Sequence, residues 1–519
     1  MIRPGIGSGA LLLRTRPRSF APRLQSPCMV KSRRVRSRSD RPGRKKEPDL
    51  RKVDACLLNA DLLSDFSHPI PSSVFPPSPI GYNPRMARRL VLLLLIGAPL
   101  VCAIGLVLYN LPPIHERLAW RVDGFRAQIR RAMNPPEEAV FVPQEMVDAI
   151  VEATLQALTP SPDLQPTARA TDPGIQPSPT AASTATTIPA PLPVAVRLTG
   201  IVHEYQNFNN CGPATLSMAL SFWGWKGDQN VARAYLRPNY QEDDKNVNPF
   251  EMAAFVESQT DLSALFRVGG DLDTLKRFVA AGFPVLIEKG LDPEDDAWLG
   301  HYQLISGYDD QSRQVIVYDS FQGPAHDYPV SYSVVEEFWP HFNNVYVVIY
   351  PAEREAEVLA LLGPHADPVY NYQETARRAL EQTAVLSGRN QFFAWFNRGS
   401  SLVALRDFPA AAEAFDAAFT VYAALNEVDR PWRVMWYLDG PYAAYYNTGR
   451  YQDVIDLAQI TLTHIDKPVL EETYFWRGIA REALGDRDGA IADLERAARL
   501  NPNSTSALAE LQRLGVASP

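Results

Sequence analysis

Residues 206–225 read QNFNNCGPATLSMALSFWGW, and this stretch constrains the fold most, because a polar turn passes into an apolar helix at a cysteine. Asn209 and Asn210 are expected to satisfy the first open amides, Pro213 suits a first helical turn, and Leu216, Leu220 and Trp223 recur at helical spacing. The helix is therefore predicted to start beside Cys211. Open N–H groups and the positive end of the helix dipole favour thiolate over thiol there, which marks Cys211 as a candidate nucleophile instead of a small buried hydrophobe.

The chain has 519 residues and a formal charge of -8, enough for two or three domains. Its globular part shows no Lys/Arg stripe interleaved with aromatics, so a nucleic-acid partner is set aside. Of the four cysteines, Cys28, Cys56 and Cys102 lie in or before the one strongly apolar segment, leaving Cys211 alone downstream. No intrachain disulfide and no cysteine-held zinc is expected around it, and the chemistry below calls for no metal or organic cofactor.

Residues 1–85 are rich in Arg, Pro and Ser with basic clusters such as KSRRVRSRS, and are expected to be disordered; Met86, followed by Ala-Arg-Arg, is an alternative start. Leu90 to Leu111 carries no charge and is long enough to cross a bilayer. Arg85, Arg88 and Arg89 precede it, which predicts a cytoplasmic N-terminus and an extracytoplasmic remainder, with a cleaved signal peptide as the alternative. Residues 112–158 carry a patchy amphipathic pattern of juxtamembrane helices, and Thr159 to Pro193 is a Pro/Thr/Ala/Ser-rich linker, read as a stalk.

Globular signals begin at Val194. A strand pattern runs through VAVRLTGIVHEY, helices are expected near Pro249 to Gln259 and Leu272 to Ala281, and PVLIEK, HYQLISGY, QVIVYDS and NNVYVVIYP read as strands. Helices followed by strands predict an α+β domain over residues 194–351.

A cysteine nucleophile needs a base, a group that orients the base, and oxyanion donors. His301 opens one strand and Asp319 ends the next, so an antiparallel hairpin through GYDDQSRQ would bring them together. His203, His326 and His341 compete with His301 but have no acidic residue at the matching end of a neighbouring strand, and Asp309 and Asp310 read as turn residues. Gln206 could donate its amide to the oxyanion together with the Cys211 N–H.

The run QNFNNCGPATLSMAL, followed by GHYQLISGYDD and VYDS, resembles the bacteriocin-processing, double-glycine peptidase family of papain-like cysteine peptidases over roughly residues 198 to 351. The resemblance implies that Gln206, Cys211, His301 and Asp319 serve as oxyanion donor, nucleophile, base and orienter. Family members often place the glutamine six residues before the cysteine, whereas Gln206 stands five before. The best-known relatives cut a leader peptide inside the cell, fused to an ABC exporter; nothing here resembles an ATPase, and an outward-facing domain would not meet that substrate.

Residues 370–519 are rich in Ala and Leu. Trp395, Gly399, Leu402, Ala411, Phe415 and Ala418 follow tetratricopeptide spacing, as do Gly478, Gly485, Ala490, Leu494, Ala497 and Pro502, with GRYQDVIDLAQITL as a degenerate unit between them. Trp432 and Trp436, in RPWRVMWYLDGPY, read chiefly as packing residues, and the repeats as a surface for a protein partner or substrate. The chain is thus expected to be a membrane-anchored, extracytoplasmic cysteine peptidase acting on peptides or proteins, anchored through residues 90–111. The alternatives are a catalytically silent scaffold and a transglutaminase-like acyl transferase.

Overall fold

The computed structural model describes residues 191–239, 247–292, 297–321, 326–463, 469–517 and 519, together with 97, 104, 105, 107, 109, 122, 129 and 140–143. The expected disordered segment, membrane span, juxtamembrane helices and linker lie outside these residues apart from those scattered positions and the linker's last three. Among the described residues, no helix is long and apolar enough to cross a membrane.

The cysteine helix α1, Cys211–Phe222, is buried on all sides from Cys211 to Leu220, so it shows no two-faced pattern. The expected asparagine caps do not form. Asn210 is the N-cap residue but makes no side-chain capping bond; its amide donates instead to Gln229 Oε1 at 2.8 Å, and Asn209 adopts a left-handed φ of 52°. Gln229 opens α2, Gln229–Leu236, which Asp228 caps. In α3, Pro249–Gln259, the Glu251 carboxylate accepts the Asn248 N–H at 3.0 Å, and α4, Leu272–Ala280, is capped by Asp271.

Seven strands form one antiparallel sheet: β1 Ala195–Arg197, β2 Leu262–Arg267, β3 Val285–Leu291, β4 Leu299–Asp309, β5 Gln314–Tyr318, β6 Tyr328–Ser331 and β7 Tyr346–Pro351. Their order is β2-β7-β3-β4-β5-β6, with β1 also on β4. The strand expected across 194–205 stops after three residues, since the chain turns out of the sheet at Gly200 with φ of 94°. Strand β2 was not expected; it lies between α3 and α4, so helices and strands interleave in this α+β domain instead of separating into halves.

The period-two alternation of strands sends neighbouring side chains to opposite cores. Leu286, Leu304, Val347 and Ile349 pack with Cys211, Leu216 and Met218 of α1, while Val285, Ile287, Val317 and Val348 pack with Phe278 and Val335 on the other face. Two further helices, α5 Tyr332–Phe338 and α6 Glu355–Leu362, lead into the repeats.

The helical region comprises α7 Pro368–Thr383, α8 Gly388–Ala404, α9 Phe408–Ala424, α10 Gly440–Asn447, α11 Tyr451–Thr463, α12 Glu471–Ala483, α13 Arg487–Leu500 and α14 Thr505–Arg513. A Cβ on Gly399 would stand 2.7 Å from the Phe415 ring, and one on Gly478 3.1 Å from Leu494, so both glycines permit close helix pairing. Between α9 and α10, residues 425–439 form an insertion with two short 3-10 turns.

The repeats and the sheet domain share one apolar core. Trp298, Phe342 and Val345 belong to the same buried cluster as Phe393, Phe396 and Phe415. His341 stacks on Phe393 with ring centroids 4.1 Å apart and accepts at Nδ1 from Trp298 Nε1 at 3.0 Å. Arg433 of the insertion donates to the Ala297 carbonyl at 3.0 Å, its guanidinium 4.7 Å from the Trp432 ring.

Candidate active site

Antiparallel pairing of β4 with β5 sets Leu304 opposite Tyr318. Asp319 follows at once and lies alongside the residues that precede Leu304. His301 Nε2 meets its two carboxylate oxygens at 3.0 and 3.1 Å, and Gln303 Nε2 donates to Oδ2 at 2.6 Å. Asp319 Oδ1 also accepts the Phe321 N–H at 2.8 Å. Three polar atoms therefore hold a carboxylate that is fully buried, as is His301.

Nε2 is committed to Asp319, the other ring nitrogen of His301 is buried without a hydrogen-bond partner of its own, and the neighbouring Cys211 side chain is among the influences that raise the imidazole's pKa. Burial alone would depress that pKa; the charge and hydrogen bond of Asp319, followed by the influence of Cys211, outweigh it and carry it up to about 9. His301 thus lies between a carboxylate and a sulfur, both of which favour its protonated form. Cys211, at the start of α1, is 5% exposed.

Gln206 is tied to the residue that follows Asp319. Its backbone N–H donates to the Ser320 carbonyl at 2.8 Å, and its side-chain Oε1 accepts from Ser320 Oγ at 2.8 Å. With the oxygen of the amide fixed, its NH2 is the end directed away from Ser320. His203 Nε2 bonds the Asp319 carbonyl at 2.8 Å, so residues 203–206 run alongside 319–320. The adjacent pair Asp319–Ser320 therefore orients both His301 and Gln206.

The loop between Gln206 and Cys211 is fixed by α2. Gln229 Oε1 accepts from the Asn207 N–H and from Asn210 Nδ2, both at 2.8 Å, and its Nε2 donates to the Tyr205 carbonyl at 2.6 Å. Glu204 accepts the Gln229 N–H at 2.9 Å and also bonds Ser217 Oγ. Arg237, at the end of α2, donates to the Asn209 carbonyl at 2.6 Å.

Sequence reasoning missed Ser320, Gln303, Gln229 and Glu288. Ser320 directly follows Asp319, and Gln303 is two residues past His301 on the same face of β4, so both carried a positional signal. Glu288 pairs with Tyr302 across β3 and β4, and both its carboxyl oxygens are buried without a hydrogen-bond partner; burial pushes its carboxyl well above the usual range, and the charge of Cys211 adds to the rise. A neutral acid therefore lies near the sulfur. The competing histidines occupy other places: His326 is exposed beside Asp327, and His341 lies against the repeats. Asp309 accepts the Gln311 N–H at 2.8 Å in the hairpin turn. Among the described residues no group of His, Cys, Asp and Glu is placed to hold a metal ion.

The fold thus gathers a helix-borne cysteine, an imidazole held by a buried aspartate, and a glutamine in the loop preceding the cysteine. Residues 198–347 match the model of the family described as "Peptidase_C39 like family", and residues 471–504 match that of the tetratricopeptide repeat. One similar solved structure is described as a C39-like peptidase from Bacillus anthracis, 18% identical, covering 30% of this chain and 96% of that one with a TM-score of 0.25. Another is Xylellain, a cysteine protease from Xylella fastidiosa, 15% identical, covering 31% of this chain and 87% of that one with a TM-score of 0.25. No curated protein matches the chain.

Proposed function

We propose that the protein is a membrane-anchored cysteine peptidase whose catalytic domain faces away from the cytoplasm and hydrolyses peptide bonds through Cys211, His301 and Asp319. The observation that carries this reading is the buried His301, held by Asp319 at 3.0 Å and with its pKa raised to about 9 in part by Cys211. The Cys211 thiolate attacks the peptide carbonyl carbon, and Gln206 donates to the resulting oxyanion. The His301 imidazolium gives its proton to the leaving amine, and the C–N bond breaks to leave a thioester. Neutral His301 then takes a proton from water as it attacks the thioester, releasing the acid and regenerating thiolate and imidazolium. Asp319 keeps the ring oriented throughout. An amine in place of water would give acyl transfer by the same steps.

The test is a thiol-directed activity probe on the full chain, followed by a peptide-library digest. Labelling abolished in Cys211→Ala and reduced in His301→Ala, with peptides cleaved by wild type alone, is the expected result. A wild-type chain inert to both probe and library would leave an interaction scaffold in its place. Amine-adducted products without hydrolysis would make it an acyl transferase.

A further inference from the structure

Far before the sheet domain in the sequence, Val140–Pro143 lies against the repeats without regular secondary structure. Phe141 is only 4% exposed and belongs to the repeats' own apolar cluster, with Val140 packed beside it. Its ring meets Phe419 edge-on at 5.0 Å and lies 6.1 Å from Tyr445. Val142 points outward at 37% exposure and Pro143 is again buried, the alternation of a strand-like peptide laid along a surface.

The pocket receiving Phe141 is assembled from three elements of the repeat domain. Phe419 and Tyr422 come from α9, Leu457 and Ile460 from α11, and the 425–439 insertion contributes Trp432 and Trp436. Beside the Phe141 ring a cavity of only about 30 Å³ remains, so the ring fills nearly all of the pocket. An aromatic-lined hollow of this kind recognises an extended peptide through one buried ring, which contributes a large contact area with few rotors to immobilise.

We propose that the repeat domain contains a peptide-recognition pocket selective for an aromatic side chain within a short, extended apolar segment, and that Val140–Pro143 of this same chain is its resident ligand. The proposal is independent of the peptidase reading. A covalently tethered occupant acts at high effective concentration, so any peptide supplied from outside has to displace it. The aromatic insertion gains a role beyond packing: it closes the pocket over Phe141.

The experiment uses the full chain and a fluorescent peptide spanning residues 136–146. Polarisation should show the Phe141→Ala chain binding this peptide about tenfold or more tightly than wild type, because its pocket is vacated. The same peptide with alanine at the Phe141 position should not compete. Equal affinity for the two chains, or equal competition by the two peptides, would overturn the proposal. A second arm, independent of that variant's folding, replaces the Phe141 ring of the peptide with a benzophenone and irradiates it with excess wild-type chain. Cross-links should map to Phe408–Ala424, residues 425–439 and Tyr451–Thr463; cross-links elsewhere, or none, would count against it.

Discussion

Ser320 is the residue through which the proposed base and oxyanion donor are linked, because its hydroxyl donates to Gln206 Oε1 and its neighbour Asp319 holds His301. Removing the Gln206 amide should lower kcat about 100-fold to 1,000-fold, the usual cost of one oxyanion donor. Ser320→Ala leaves that amide present but unoriented and should lower kcat about tenfold with KM little changed, read from steady-state peptide hydrolysis. The raised pKa of His301 sets the alkaline limit. kcat/KM should fall as pH rises through about 9, where the imidazolium is lost, and Asp319→Asn, which removes the charge that raises the pKa, should move that limb to lower pH. A pH–rate profile whose alkaline limb is the same in both proteins would contradict this account of the ring.

At the level of elements, the loop that carries Gln206 toward Cys211 is held by α2 more than by its own sequence. Gln229→Ala removes bonds to Tyr205, Asn207 and Asn210 at once and should cost about 2 kcal/mol, read as a lower urea midpoint at unchanged m-value. This dependence explains what could be read in advance. Helices α3 and α4 and strands β3, β4, β5 and β7 announce themselves through local signals, namely caps, apolar runs and turn residues. The His301–Asp319 meeting follows from hairpin geometry alone. Strand β2 hides because all its residues are half-buried, so LSALFR lacks a strong contrast between faces. The roles of Gln229 and Ser320 hide because each bond joins residues far apart in the chain, and no spacing rule reports such a contact. Asn210 looked like a helix cap and is one by position only, since its amide nitrogen donates to Gln229 and its amide oxygen accepts from Arg237 at 3.5 Å, both distant in the chain.

Over the whole molecule, the titration of two buried histidines opposes. Burial, reinforced by the charge of Arg389, carries the His341 pKa down to about 3, so the fold disfavours its protonation; the stability this represents is present above pH 6.5 and is lost as pH falls toward 3. His301 is raised, so its contribution is present below pH 6.5 and is lost as pH rises through about 9. Thermal melts across pH should peak near neutrality, and His341→Gln should flatten the acid side only. Because Trp298, Phe342 and Val345 are buried together with Phe393 and Phe396, calorimetry should also find the sheet domain and the repeats unfolding in one transition. Two well-separated transitions would refute that unity. The linear boundary between the two regions, near residues 352–367, is thus not their physical boundary. A chimaera grafting foreign repeats after that junction would inherit an orphaned tryptophan and a stranded imidazole on its donor half, so grafts between relatives should succeed only where the recipient brings a matching aromatic face.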